Sequence, residues 1–202
     1  MEDQVVEQPY HHGDLRRALI DAALAMVKEF KSWHFTLREV ARRAGVSHAA
    51  PYRHFPDKAA LLSELAKVGF EMLSVELSAA LNNNLSVEEQ LTIAAKAYIQ
   101  FGNVNPALYH LMFSRDAGAS EEVHLNERAM ATLNVLTSLL ERGQRQGVFK
   151  DRPVKGLAAA CWSLVHGLTM LSMEGLLLPE KVGDQPIDSA LNTLLEGLML
   201  ER

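Results

Sequence analysis

One cysteine, Cys161, serves all 202 residues, so no disulfide within the chain staples the fold and no cysteine-rich metal site can form. The opening residues, acidic from Glu2 to Glu7, lack the basic-then-apolar plan of a signal peptide, and a reducing, cytoplasmic setting is expected. Aromatic residues make up only 6% of the chain, and 12 glycines and 7 prolines supply little turn punctuation, which disfavours large β architectures. Uncharged apolar runs fall short of the roughly 18–20 residues that span a bilayer. The best candidate, Leu157 to Met173, is broken by His166 and Gly167 and stops at Glu174, so no membrane span is expected. What is present, 48% hydrophobic and 22% charged residues, suffices for a buried core, and the expected class is all-α.

Enzyme signatures are also missing. The chain has no His-Glu-x-x-His, no paired Cys, no phosphate loop and no Gly-x-Ser-x-Gly. Eight histidines invite a metal reading, with His110 and His124 flanking a loop beside Asp116 and Glu121, but their spacing matches no known ligand set. No catalytic residue, metal or cofactor is expected, and a helical metal-dependent enzyme stands only as an alternative.

Charge is unevenly spread. Residues 10–60 hold nine Lys/Arg against five acids, a local balance of +4, whereas residues 61–202 hold eleven against seventeen, a balance of -6. A basic N-terminal module on an acidic body suits a polyanion partner at one end only, although solvated helix faces would give the same arithmetic.

Helical periodicity organises the chain. Leu15, Leu19, Ala22, Ala23, Met26, Val27 and Phe30 predict a first helix, capped by Asp14. Thr36 and Glu39 form a capping box for a short second helix that closes at Ala44-Gly45, and Ser47 is placed to cap a third. Asp57 caps a fourth helix of about twenty residues that links two modules. Ser86 and Glu89 make a second capping box; Pro106 opens a brief helix to Phe113; Ser114 to Ser120 is a loop. Glu121 to Gly147 reads as one long helix, Pro153 opens the next, and Ile187 to Leu200 forms the last. The expected division is residues 1–58, ordered from about 12, and residues 59–202.

The segment from Thr36 to Lys58 carries the function. A first short helix braces a second through Val40, Ala41, Ala44 and Val46, and the sharp turn at Gly45 leaves the second projecting. Small side chains at Ala49 and Ala50 beside His48 let such a helix enter a major groove, and Thr36, Arg38, Ser47, Tyr52, His54 and Lys58 are phosphate-contacting types. Phe55 reads as core, and Arg42 and Arg43 as a solvated face. The run Tyr52-Arg-His-Phe-Pro-Asp-Lys58 followed by Leu61-Leu62, with Ala41-x-x-Ala-Gly-Val-Ser47 before it, resembles the DNA-binding domain of the TetR family of transcriptional regulators. That resemblance implies that Tyr52, His54 and Lys58 hold the phosphate backbone, with Thr36 assisting, and that Arg38, His48, Ala49 and Ala50 face base edges. It further implies a homodimer, paired through the last two helices, on a pseudo-palindromic operator, and no enzyme activity. Two features depart from the family pattern: Lys31-Ser32 ends the first helix where glycine is usual, and Pro51 replaces an apolar residue. Being about one turn in, Pro51 is expected to constrain the recognition helix without abolishing it.

The body is less specific. Trp162-Ser-Leu-Val-His166-Gly167 resembles a Trp-x-x-x-His-Gly signature of one C-terminal subclass of these regulators, as does Pro106 to Phe113. Trp162 and His166 share one helix face, where core or seam packing competes with ligand contact. Tyr98, Phe101, Met112, Phe113, Met130, Trp162 and His166 are the candidate lining of an apolar effector pocket, on a protein most simply read as a ligand-released repressor. A dimeric DNA-binding protein without any effector is the alternative.

Overall fold

The computed structural model describes residues 12–82 and 84–200. The fold opens with α1 (His12–Phe30) and the short α2 (Leu37–Arg43), followed by a 3₁₀ turn, Pro51–Arg53. The long helix α3 (Lys58–Ala80) leads into α4 (Val87–Val104), α5 (Pro106–Met112), α6 (Ser120–His124) and α7 (Glu127–Arg145). After α8 (Val154–Met173) come a one-turn helix α9 (Pro179–Val182) and α10 (Pro186–Leu198). The backbone of Asp14 lies inside α1; its side chain, and the histidine at 11, lie outside what is described.

The local signals act where the sequence puts them. Thr36 Oγ1 accepts from the Glu39 amide at 3.2 Å while the Glu39 carboxylate accepts from the Thr36 amide at 2.7 Å, and Ser86 with Glu89 repeats the pattern at 3.2 and 2.8 Å. Asp57 accepts from the Ala60 amide at 2.8 Å and starts α3. At Gly45 the backbone takes φ +70°, a conformation that costs a side-chain-bearing residue energy and glycine none.

Two expectations are corrected. First, residues 47–54 do not form the predicted third α-helix. Pro51 has no amide to give the Ser47 carbonyl, so Ala50 donates there instead at 3.0 Å, and the chain continues in i→i−3 steps, His54 to Pro51 at 2.9 Å. Second, residues 121–147 are two helices. Asn126 ends α6 and caps α7, accepting from the amides of Arg128 and Ala129. As Pro153 predicts, α8 begins at Val154; by length and composition alone it is long and apolar enough to cross a membrane. In this fold it serves as a bundle helix, turning Cys161, Val165, Leu168 and Thr169 into the core while Trp162 and Leu171 stay exposed.

The core is continuous from the N-terminal unit into the body. Leu19, Ala23 and Val27 of α1 pack with Val40 of α2 and Leu61 and Leu65 of α3; farther along, α3 lies against α4, α5 and α7. Close helix approach is set by glycines: a Cβ on Gly102 of α4 would stand 2.3 Å from Thr169 Cγ2 of α8. The C-terminal end is tied down by an isolated antiparallel bridge between Phe149 and Met199, in which Lys150 donates to Leu198 at 2.8 Å and Leu200 to Val148 at 3.1 Å.

Candidate DNA interface and effector cavity

The candidate DNA-reading residues gather at one end of the molecule around Gly45 and the 3₁₀ turn. Arg38, Ser47, His48 and Ala49 are exposed, Ala50 is half-buried, and Tyr52 is 52% exposed. Lys58 opens α3, its ammonium 5.7 Å from the centre of the Phe35 ring, beside free amides at a helix N-terminus. His54 is half-buried, and its Nε2 is buried without a hydrogen-bond partner among the described residues. Thr36 is exposed, but its hydroxyl donates to Glu39 at 2.8 Å, so a phosphate must compete with its own capping box. The same hydrogen bonds lower the Glu39 pKa. Phe55 is a core residue under the Arg16 guanidinium, and Arg43 pairs with Glu29 of α1 at 2.6 Å.

In the body, α3, α4, α6, α7, α8 and α10 line a half-open cavity of about 260 Å³ walled almost wholly by apolar side chains. Among the candidate pocket residues, Tyr98, Met130 and Trp162 line it. Phe101 and Met112 do not: both are fully buried in the core, Met112 filling the space beside Gly69. Phe113 and His166 stand behind the wall, their rings 4.5 Å apart in a T-shaped contact. Sequence reasoning missed most of the lining, including Phe70, Leu91, Leu133 and Leu194, because apolar periodicity marks a buried face without telling filled space from void.

A polar chain crosses behind this wall. The Trp162 indole donates to the Tyr98 hydroxyl at 3.3 Å, the Tyr98 and Tyr109 oxygens are 3.2 Å apart, and Tyr109 meets His166 Nδ1 at 2.6 Å. Burial raises the pKa of both phenols. It pushes the Cys161 thiol up to about 11. Burial, then the neighbouring His124, holds His166 below the ordinary imidazole range. The residues of the metal reading are not brought together: His110 faces Glu174 at 3.3 Å, Asp116 accepts from the Trp33 indole at 2.9 Å, and His124 lines the cavity.

Residues 19–65 match the family model for bacterial regulatory proteins of the tetR family, and residues 91–197 match that for a tetracyclin repressor-like C-terminal domain. The chain belongs to the TetR family. It is a DNA-binding regulator of the all-α TetR fold, with an N-terminal helix-turn-helix and a C-terminal helical domain, and not an enzyme. The nucleoid occlusion factor SlmA of Photobacterium profundum is 32% identical over 162 residues, which cover 75% of this chain and 81% of that protein. Among solved structures, a protein of unknown function from Rhodococcus sp. RHA1 superposes with a TM-score of 0.80 at 31% identity, covering 96% of this chain and all of that one. A second protein from Rhodococcus RHA1, a bacterial regulatory protein of the tetR family, shares the fold at a TM-score of 0.65 and 20% identity, over 89% of this chain and 96% of its own.

Proposed function

We propose that this TetR-family regulator is a cytoplasmic repressor that binds a pseudo-palindromic operator as a homodimer and leaves it when a small apolar molecule occupies the body. The division into a reading unit, residues 1–58, and an effector and dimerisation unit, residues 59–202, cuts α3 in its first turn, so one helix belongs to both. That is the observation carrying the reading: α3 presents Lys58 at the DNA-facing end and, three and five turns on, Phe70 and Leu77 in the cavity wall. A ligand that displaces this wall displaces the phosphate-binding end with it. Dimerisation is assigned to α8 and α10, which leave Ala160, Ser163 and Leu171 of α8 and Ser189, Asn192 and Thr193 of α10 exposed. Tyr52, His54 and Lys58, with Thr36 and Ser47, would hold phosphates, and Arg38, His48, Ala49 and Ala50 would read bases. A dimer sets two reading units one turn of duplex apart, roughly 34–36 Å.

The experiment is to select bound sites from a random DNA pool, then to measure operator affinity with and without saturating apolar compounds. Selection of palindromes whose affinity falls on ligand binding supports the proposal; single half-sites bound at full strength by a monomer refute it. A dimeric DNA-binding protein without an effector would keep its operator affinity at every ligand concentration.

A further inference from the structure

The described lining of the cavity contains no Asp, Glu, Lys or Arg. A bound ion would find no counter-charge there, and an unpaired charge in apolar surroundings is costly. The polar groups that do reach the wall are nearly all committed. Thr92 donates to the Glu88 carbonyl at 3.0 Å, and Thr132 to the Phe70 carbonyl at 2.9 Å. Trp162 donates to Tyr98. Tyr109 donates to the same Tyr98 oxygen at 3.2 Å and meets His166 Nδ1 at 2.6 Å, so these groups are held to one another. Cys161 offers only a weak thiol donor.

His124 differs from all of these. Half-buried at the end of α6, it packs edge-on to Phe70 at 5.2 Å and tilted to Phe113 at 5.5 Å, and neither ring nitrogen has a hydrogen-bond partner among the described residues. Burial keeps its pKa below the ordinary imidazole range, so the neutral ring lines the cavity with one N–H donor and one bare nitrogen. Among the polar side chains of the wall, His124 is thus one whose ring nitrogens the described residues leave unpartnered beside the cavity.

We propose that His124 is the specificity-determining contact of this cavity and that the cavity takes an uncharged, mainly apolar molecule bearing one carbonyl or hydroxyl group. The inference rests on the reading of the cavity as an effector site. The apolar wall supplies affinity without direction; the imidazole supplies the one directional contact that ranks a ketone or alcohol above a hydrocarbon of the same shape and above a carboxylate.

Acetophenone, cumene and benzoate share a ring and a branched substituent and differ in polarity and charge, so calorimetric titration of the full chain with each at pH 8 reads the contact directly. Acetophenone is expected to bind about fivefold more tightly than cumene, the worth of one neutral hydrogen bond, and at least about tenfold more tightly than benzoate. In His124→Phe the preference for acetophenone over cumene should vanish while cumene binding stays within about twofold, since only the hydrogen bond is removed. His124→Gln, which keeps a donor and an acceptor, should retain the preference and serves if the Phe variant does not fold. A preference that survives in His124→Phe, or benzoate binding as tightly as acetophenone, overturns the assignment of His124 while leaving the cavity a ligand site. Failure of all three compounds to bind removes the effector reading itself.

Discussion

Glu64 of α3 joins three helices, and removing its charge should be felt in all of them. Its carboxylate, with a side chain only 13% exposed, accepts from Arg16 of α1 at 2.9 Å and from Arg128 of α7 at 2.8 Å. An exposed ion pair is worth about 0–1 kcal/mol and a broken buried one about 3–5 kcal/mol. The arginines are 44% and 41% exposed, so water screens the network part-way, and Glu64→Gln should cost about 2 kcal/mol, near the middle of that span. For a chain of this length that lowers the melting temperature by about 4–8 °C. The pH dependence gives an independent reading. Burial alone would raise the Glu64 pKa, but the hydrogen bonds and charges of Arg16 and Arg128 outweigh it and leave the carboxyl below its ordinary value of 4.5. A carboxyl whose pKa is depressed by folding contributes fully above the unfolded pKa and loses that contribution as pH falls through the folded one. The stability gap between wild type and Glu64→Gln should therefore be constant from neutrality down to about pH 5 and close progressively below it. Thermal denaturation of both proteins across pH 3–8 measures the gap. A cost under about 0.5 kcal/mol at pH 7, or a gap that does not shrink in acid, would refute the network as a stabilising junction between the reading unit and the body.

Three further outcomes test other parts of the molecule. Lys58→Ala should weaken binding to all duplexes alike and reduce the slope of log K against log salt by about one unit in a filter or anisotropy titration, and an unchanged slope would show that Lys58 touches no phosphate. Arg38→Ala and His48→Ala should instead relax preference at particular operator positions, by about 1–3 kcal/mol per contact in competition with mutated operators, whereas uniform weakening would move them to the backbone-contact class. Gly102→Ala puts a Cβ 2.3 Å from Thr169 Cγ2, so denaturant unfolding should show a loss of about 1–3 kcal/mol, with Gly197→Ala, open on all sides, as the near-neutral comparison.

Much of the fold is legible in the sequence because its instructions are local. Thr36 with Glu39, Asp57, and Ser86 with Glu89 each start a helix by a hydrogen bond that spans three residues, so a linear reading finds them. Pro51 is plain in the sequence, but its weight is not: what matters is less its distance from the helix start than the single carbonyl, that of Ser47, which it leaves to another donor. The break between α6 and α7 has a signal too, Asn126 before Glu127, hidden by apolar spacing that runs on through it. The cavity has none. Whether Met112 or Met130 borders a void depends on how α3, α5 and α7 settle against one another, and so does the meeting of Trp162, Tyr98, Tyr109 and His166 from three separate helices.

The bridge between Phe149 and Met199 bears on how two copies would meet. α10 sends only Leu191 and Leu198 fully into the interior, scant anchorage for a terminal helix. The paired backbone at its end, with Lys150 Nζ also donating to the Gly197 carbonyl at 3.2 Å, clasps it to the segment that leads into α8. Were α10 free to wander, association would have to immobilise it each time and lose that entropy from the binding free energy. Clasped, the surface formed by α8 and α10 is preorganised in the lone subunit, and in the proposed pairing two subunits would join as finished parts.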